Sequence, residues 1–558
     1  MRKTEFVALL ILLSIVHSAM PATSKQTSLK SPGLDFDRTC PPITPAWAYG
    51  HWVWEDIEHT RDAVEYLVGG YRAYKIPVNA VIFDSPCFMA YNDFKWNETA
   101  YPNPQVIIDD LHRRQIKAVV FYTGAINRKS NDSPTQKCES YDFVLSNDYV
   151  INHGQESQWW KGPALHIDFT NPQAVAWWNT QLASLHKMGI DGAKIDAAHM
   201  RFGDTVDTSI GTMDSREFGY HYFKQSFDYH TAQNDEFVAM TYAWSTNKLV
   251  GWPSTSHVSW TGDFRGDWQG MKDQLRNIYL SAQVGFSALA CEIGGYFEPA
   301  STKEQFIRYA QMSCFMPVMI NGGMYGALNH HLPWRYDDQT LDIYRKLVLT
   351  HNNLGPYLFS TGVDAHLNHL TIIRDSSIEN ESHCLGPWLF VKAITSSQDS
   401  IHLTLPADSQ WFDLWTDKRY DAGAVVERHY SIEEYPVFVK AGAIIPISGD
   451  NGILADTDNS LSKAATFVLY PGQNSDYVFH RPKGTGKAYS DIHITYNAPA
   501  GTIEVKSETE DTFRFIVKTN QPPTNVSGAD TWLYDDNQKL LQIEKHGKDF
   551  QMTINTPI

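Results

Sequence analysis

The chain has 558 residues, of which 42% are apolar and 20% charged, a globular composition that excludes disorder, collagen and coiled coil as overall descriptions. The length predicts roughly two to four domains. A formal net charge of −17 makes it a poor candidate for binding nucleic acid or an anionic membrane. Aromatic residues are abundant, with 17 Trp, 28 Tyr and 27 Phe. A large core would absorb them, and a carbohydrate-binding surface would use them, because sugar C–H faces pack on flat rings.

Residues 1–19 read as a signal peptide. Arg2 and Lys3 precede an apolar run from Phe6 to Val16, and small residues follow at Ser18 and Ala19. The run is shorter than the roughly 20 residues a membrane span needs. The bland alternative is a retained amphipathic anchor. The expectation is a protein without a membrane anchor, secreted or held in a secretory-pathway lumen, the lysosome included. In that setting Cys40, Cys87, Cys138, Cys291, Cys314 and Cys384 are candidates for disulfides. None has CxxC spacing, so no zinc site is expected. Sequons for glycosylation stand at Asn97, Asn131, Asn380 and Asn525.

Residues 20–43 are polar and Pro/Ser-rich, and read as a linker. Strand-like and helix-like segments then alternate over residues 44–365. Strands are expected near 46–50 and at 78–84, 117–124, 191–196, 237–243, 258–263, 286–293 and 315–320. Helices are expected at 104–115, 171–188, 215–230, 267–282, 302–313 and 338–352. Asn171 followed by Pro172 is a helix start. Eight alternations predict a parallel sheet closed as a (β/α)8 TIM barrel, with the active site at the C-terminal ends of the strands. Acidic residues ending strands, Asp84, Asp196 and Asp263, are the first candidates.

After residue 365 the texture becomes short β runs broken by turns. Residues 366–450 read as one β-sandwich and 451–558 as a second β-rich domain. Lys483-Gly-Thr-Gly-Lys487 lacks the first glycine of a phosphate loop and reads as a hairpin turn. GxSxG is absent, as is a dinucleotide fingerprint. His330-His331 and His366-Leu-Asn-His369 lack the context of metal ligands. What remains is a set of carboxylates at one barrel mouth. Two carboxylates across a pocket are what glycoside hydrolysis needs, one to attack the anomeric carbon and one to protonate the leaving oxygen. A strand-end Asp can equally cap a helix or pair with Lys or Arg.

Particular motifs sharpen this. Ile167-Asp-Phe-Thr-Asn-Pro172 with Trp177-Trp178, then Gly189-Ile-Asp-Gly-Ala-Lys-Ile-Asp196, then Trp260-Thr-Gly-Asp263 stand in that order. Leu405-Pro406, Trp411-Phe-Asp-Leu-Trp415 and Pro436-Val-Phe-Val-Lys-Ala-Gly-Ala-Ile-Ile-Pro446 follow. Over about residues 44–450 the chain resembles glycoside hydrolase family 31, the retaining α-glycosidases. The resemblance implies Asp196 as nucleophile, Asp263 as acid/base, with Asp267 a local rival, and Asp84 as a holder of substrate hydroxyls. Lys194, two residues before Asp196, points the same way by strand period. No metal or organic cofactor is implied, and the partner is an α-linked oligosaccharide or glycoconjugate.

The sequence also departs from the family pattern. The family's β-sandwich before the barrel has no counterpart, which implies a more open pocket. His199 stands where Glu is usual. Tyr242 and Trp244 stand where α-glucosidases carry a sugar-binding Arg, and Gly322 and Gly323 where they carry a substrate-binding His. Glu292 replaces an Asp. Phe315-Met-Pro317 followed by Pro333-Trp-Arg-Tyr-Asp337 leans toward the α-galactosidase-type branches. Tyr242, Trp244, Trp260, Glu292 and Trp334 are therefore candidate substrate-binding residues, the alternative for each Trp being a core ring. The implied activity is retaining exo-hydrolysis of a terminal α-galactoside or α-glucoside. A non-catalytic sugar-binding relative and an α-transglycosylase are the alternatives.

Overall fold

A computed structural model describes residues 40–555 apart from 57, 131, 136, 198, 200, 201, 246, 247, 324–330 and 458–463. The expected signal peptide, most of the linker, the Asn131 sequon and His330 lie outside the described residues. Eight parallel strands form the central sheet: β1 His51–Glu55, β2 Ala80–Phe83, β3 Lys117–Tyr122, β4 Gly192–Ile195, β5 Val238–Tyr242, β6 Val258–Trp260, β7 Ala290–Ile293 and β8 Val318–Asn321. Their order is β6-β5-β4-β3-β2-β1-β8-β7, and a Ser259–Leu289 bridge joins the two ends. This is a TIM barrel. Its strands are buried along nearly their whole length, as parallel strands covered on both faces must be.

Helices α1 Arg61–Ala73, α2 Pro104–Arg113, α3 Pro172–Lys187, α4 Ser215–Gln233, α5 Trp268–Gln283, α6 Lys303–Cys314, α7 Asp338–Asn353 and α8 Gly355–Asn368 lie among or after the strands. Their starts follow from local chemistry. The Asn171 side chain accepts from the N–H groups of Gln173 and Ala174, with Pro172 at the first helical position. Thr302 and Gln305 form a reciprocal capping box on α6. Between β5 and β6 the described residues form a two-stranded ribbon, Trp244–Ser245 with Lys248–Leu249, and a short 3-10 turn, Pro253–Thr255, in place of a long helix.

The first strand begins later than expected. Residues Ala46–Ala48 form a 3-10 turn after Pro45, and strand pairing starts at His51. The reason is where the hydrogen bonds go. The N–H groups of Ala46 and Trp47 donate to the carbonyls of Gly486 and Thr485, at 2.9 and 3.0 Å, and not to a strand neighbour. Those acceptors lie in the 483–487 turn, which joins strands Ser475–Pro482 and Tyr489–Asn497 as a hairpin. The turn so read from sequence is also a clamp between the last β-domain and the barrel's entry.

Small sheets inserted between barrel strands were not anticipated. Ala125–Asn127, Ser157–Trp159 and Gly162–His166 make a small antiparallel sheet after β3, and Thr205–Thr208 pairs with Gly211–Asp214 after β4. Beyond α8 the chain is β-rich. A six-stranded sheet and a two-stranded ribbon (Ser400–Thr404 with Val425–His429) follow the barrel. The run read as one strand from Val437 to Ile447 divides. Val437–Lys440 lies inside the six-stranded sheet, between Leu389–Lys392 and Trp411–Asp413, and Ile444–Ile447 opens the final one, pairing with Ala465–Leu469. The turn at Ala441-Gly442 separates them, so the two sheets part before residue 450. The final sheet has its own core around Phe467, Phe479, Ile494, Phe513, Phe515 and Ile543.

The expectation of disulfides is corrected. All six cysteines are free, and Cys87, Cys138, Cys291 and Cys314 are buried. Cys314 Sγ donates to the Leu347 carbonyl and Cys291 Sγ contacts Gln274, so these thiols act as small core residues within one helix–strand layer. Among the described residues no helix is long and apolar enough to cross a membrane.

Candidate active site

The site is built from strand ends. Lys194 on β4 points into the barrel, and its ammonium lies 3.2 Å from Asp84 Oδ2 at the end of β2. Its charge sits 3.9 Å from the centre of the Trp54 ring and 5.4 Å from that of Trp260. Burial alone would push the Lys194 proton off. Asp84, Glu292, Asp263 and Asp196 outweigh it and hold the ammonium charged well above its ordinary range. Lys194 is thus the cation around which Asp84, Asp196, Asp263 and Glu292 gather.

Asp196 follows β4 directly. Its N–H donates to Tyr122 O at 2.9 Å, and its Oδ1 accepts from Ala197 N at 2.6 Å, which fixes the carboxyl at the mouth. Burial pushes it up to about 7, against the pull of Lys194. Asp263 is placed by Gly262, which sits at φ 98° in the left-handed region and turns the chain back toward the mouth. A Cβ at Gly262 would also lie 2.4 Å from Ser245 Oγ. Asp263 is the exposed member of the set. Surrounding walls push its carboxyl up to about 6, Lys194 opposes, and Asp84 adds to the rise. Water at this carboxyl screens part of that shift.

The rival Asp267 has other employment. Its Oδ1 accepts from Gly270 N as the cap of α5, and its Oδ2 accepts from Arg265 at 2.8 Å. Although burial works the other way, these bonds hold it below the usual carboxylate range, the wrong state for a proton donor.

Glu292 is the penultimate residue of β7 and is buried. Desolvation pushes it up to about 8, with Lys194 opposing and Asp263, Asp84 and Asp56 adding. Tyr242 is buried at the end of β5, its ring 4.1 Å from Trp260. After burial, the charges of Asp263, Asp196 and Glu292 raise its hydroxyl further, so a neutral ring faces the carboxylates where a cation was the family expectation. Trp260, Lys194, Tyr242 and Glu292 are thus brought together with Asp84, Asp196 and Asp263.

Two expected residues make their described contacts elsewhere. The Trp334 ring stacks on Tyr74 at 5.3 Å, meets Tyr71 edge-on at 4.9 Å, and lies where a Cβ on Gly70 would stand. It fills space against α1. The Trp244 N–H donates to Ser281 Oγ on α5, and among the described residues no hydrogen bond or ring contact joins Trp244 to the carboxylates. His199 is buried beside Gly219 and Phe223, and burial lowers its ring to about 4, so it is neutral.

Residues missed from sequence lie on β1. Trp54 covers Lys194, and its indole is the reason for Gly322. A Cβ at 322 would lie 2.1 Å from Trp54 Cδ1, so a histidine cannot occupy that position without displacing the ring. Tyr296 stacks on Trp54 at 5.8 Å, and its hydroxyl donates to Asp56 Oδ2. Placing the first strand five residues early concealed the Trp52/Trp54/Asp56 alternation.

The barrel and its cluster can now be set beside known proteins. The model of the family 31 glycosyl hydrolase TIM-barrel domain matches residues 41–361. The chain belongs to glycosyl hydrolase family 31. Residues 367–445 match that family's C-terminal domain. An α-xylosidase of Saccharolobus solfataricus is 23% identical over 495 residues, covering 82% of this chain and 62% of the relative. An isomaltosyltransferase of Sporosarcina globispora is 22% identical, covering 90% and 52%. In fold, a cycloalternan-forming enzyme from Listeria monocytogenes, solved with a pentasaccharide substrate, superposes with a TM-score of 0.82 at 21% identity, covering 92% of this chain and 55% of that one. This family 31 chain therefore spans only a little over half the length of these relatives.

The acidic cluster has a consequence for stability. Glu292 is raised from 4.5 to about 8 on folding. The folded protein therefore holds this proton where the unfolded chain releases it, so stability is full below about pH 4.5 and is lost as pH rises through 8. Asp196 and Asp56 have the same sign. The thermal midpoint should fall between pH 5 and pH 8, and Glu292→Gln should flatten that fall. Calorimetry at both pH values checks it, and an unchanged slope contradicts the assignment.

Proposed function

We propose that the chain is a secreted, retaining exo-α-glycosidase that removes a terminal α-linked hexose, a galactoside or glucoside, by double displacement. The observation that carries this reading is the convergence of Asp196 and Asp263 on Lys194 and Asp84 at one barrel mouth. Asp196 attacks the anomeric carbon while Asp263 protonates the departing oxygen. Asp263 then takes a proton from water, which attacks the same carbon from the opposite side and frees Asp196.

The two roles need opposite protonation states, and the free site does not separate the two groups in that sense, since Asp196 stands near 7 and Asp263 near 6. Substrate supplies the difference. Asp263 is exposed and has water to lose when a sugar covers it, which raises it. Asp196 is already buried, has little solvation left to lose, and gains hydrogen bonds from sugar hydroxyls, which lower it.

A panel of aryl α-glycosides (galactoside, glucoside, xyloside and N-acetylgalactosaminide) at acidic and neutral pH tests the reading. Turnover of at least one with release of the α-anomer is the expected result. Binding without turnover would instead mark a non-catalytic sugar-binding relative. The names of two relatives, an isomaltosyltransferase and a cycloalternan-forming enzyme, favour a second reading, transfer to a sugar acceptor. The exposed Asp263 lies on the side where a leaving group departs and an acceptor enters, and either water or a sugar hydroxyl can use it there. Adding free saccharide and measuring new α-linkages distinguishes the two. The proposed export rests on residues 1–19.

A further inference from the structure

We propose that Asp56 is a further substrate-contacting residue, a carboxyl at the end of β1 that binds sugar hydroxyls beside Asp84, on the side of the mouth away from Asp196 and Asp263. This deepens the proposed function and rests on its placement of a sugar at that mouth.

The backbone puts Asp56 there. β1 and β2 pair in parallel, with Trp54 opposite Ile82 and Glu55 opposite Phe83. One further step brings Asp56 beside Asp84, on strands spaced about 4.8 Å apart. Strand alternation gives the direction. Trp54 faces inward, with the Lys194 ammonium over its ring, so Asp56, two residues on, is aimed at the mouth.

Side chains then hold it in place. The Tyr296 hydroxyl donates to Oδ2, and His59 Nε2 lies 3.8 Å from Oδ1. Tyr296 is itself fixed by its stack on Trp54, at an interplanar angle of 13°. The Asp56 side chain keeps 13% of its surface exposed, so the carboxyl is oriented in advance and still reachable.

The barrel order places the groups around the mouth. Asp56 and Asp84 follow the adjacent strands β1 and β2, while Asp196 and Asp263 follow β4 and β6 further round. Asp84 and Lys194 act on both sets: after its own burial Asp56 responds to Asp84 and Lys194, and after its own burial Asp196 responds to Lys194 and Asp84. A pyranose whose anomeric carbon lies at Asp196 turns its opposite end toward Asp84 and Asp56. Two neighbouring carboxyls there match two neighbouring hydroxyls. The substrate class is a terminal hexopyranoside unsubstituted at positions 4 and 6.

The test uses the full chain with Asp196→Asn as the parent, so that binding is read without turnover. Methyl α-galactoside, methyl α-glucoside and their 4-deoxy and 6-deoxy forms are titrated by calorimetry into the parent, into parent with Asp56→Ala, and into parent with Asp56→Asn. Matched circular dichroism and thermal midpoints establish that each is folded, and the same-shaped Asn variant serves if the Ala variant is not. Affinity for a hexoside that the parent binds should fall by about tenfold or more in the Asp56 variants. At least one deoxy sugar that binds the parent more weakly should show no further loss in them. Equal affinities in parent and variants, or the same penalty for every deoxy sugar in both, would overturn the proposal, as would a parent that binds none of these glycosides. Hydrolysis by the wild-type chain is read separately, so a failure of the catalytic reading remains distinguishable from a failure of this one.

Discussion

Replacing Asp196 by Asn should abolish turnover of every α-glycoside the wild type accepts, with kcat down by at least about 10⁴-fold. The amide keeps the shape of the carboxyl and loses its nucleophilic oxygen. The substitution should leave the fold intact. Asp196 is buried and pushed up to about 7, so a neutral side chain there relieves a desolvation cost at neutral pH. Lys194 keeps Asp84 at 3.2 Å. The expected signature is a thermal midpoint at pH 8 equal to or above that of the wild type, together with the loss of kcat. Steady-state kinetics and a melt on the same sample check both. Retained hydrolysis would remove Asp196 from the mechanism.

Asp263→Ala should give a different pattern, because a proton donor matters in proportion to how poor the leaving group is. With an unactivated disaccharide, kcat/KM should fall by about 10²–10⁴-fold. With an aryl glycoside whose phenol leaves as its anion, kcat/KM should fall far less, since the first step needs no acid. The second step still lacks its base, so kcat should drop and added azide should restore it by attacking the intermediate directly. A uniform loss across leaving groups would mean that Asp263 has another role. Asp267 offers the control. It caps α5 and is paired with Arg265, so Asp267→Asn should weaken the helix start and leave the leaving-group dependence unchanged.

Much of this architecture could be read before any coordinates, for physical reasons that differ from place to place. The strands of a parallel barrel are buried on both faces and so appear as plain apolar runs. Where such a run ends in Asp, as at Asp84 and Asp196, the site shows directly. The start of α3 was legible because Asn171-Pro172 is a local signal that needs no tertiary context. The start of β1 was not. Ala46–Gly50 is as apolar as His51–Glu55, and the choice between them is made by the distal hairpin turn, whose carbonyls take the first N–H groups. That offset hid Trp54 and Asp56. The role of Gly322 was equally invisible, because an absent side chain has meaning only once the Trp54 ring is seen to occupy its place. The packing of Trp334 was hidden for the converse reason. An aromatic residue near a motif is as apt to pack on the outside of the barrel, and here α1 presents Gly70, Tyr71 and Tyr74 to receive it.

The aromatic surplus divides accordingly. Trp54, Trp260, Trp178 and Trp252 are all fully buried, and what sets Trp54 and Trp260 apart is the Lys194 ammonium beside their rings. The acidity divides in the same way. Asp56, Asp84, Asp196, Asp263 and Glu292 gather around one ammonium, and burial makes Asp56, Asp196, Asp263 and Glu292 hold their protons more tightly than surface carboxylates do.

The central claim is that Asp196 forms a covalent bond to the sugar. Incubation of the wild-type chain with a fluorinated α-glycosyl fluoride of the accepted sugar, which forms the intermediate faster than water removes it, followed by proteolysis and mass spectrometry, tests this directly. The expected result is one sugar per chain, on the peptide containing Asp196 and on that side chain, with no label in Asp196→Asn. A label on another residue, or steady hydrolysis of the parent glycoside with no trapped intermediate, would contradict it.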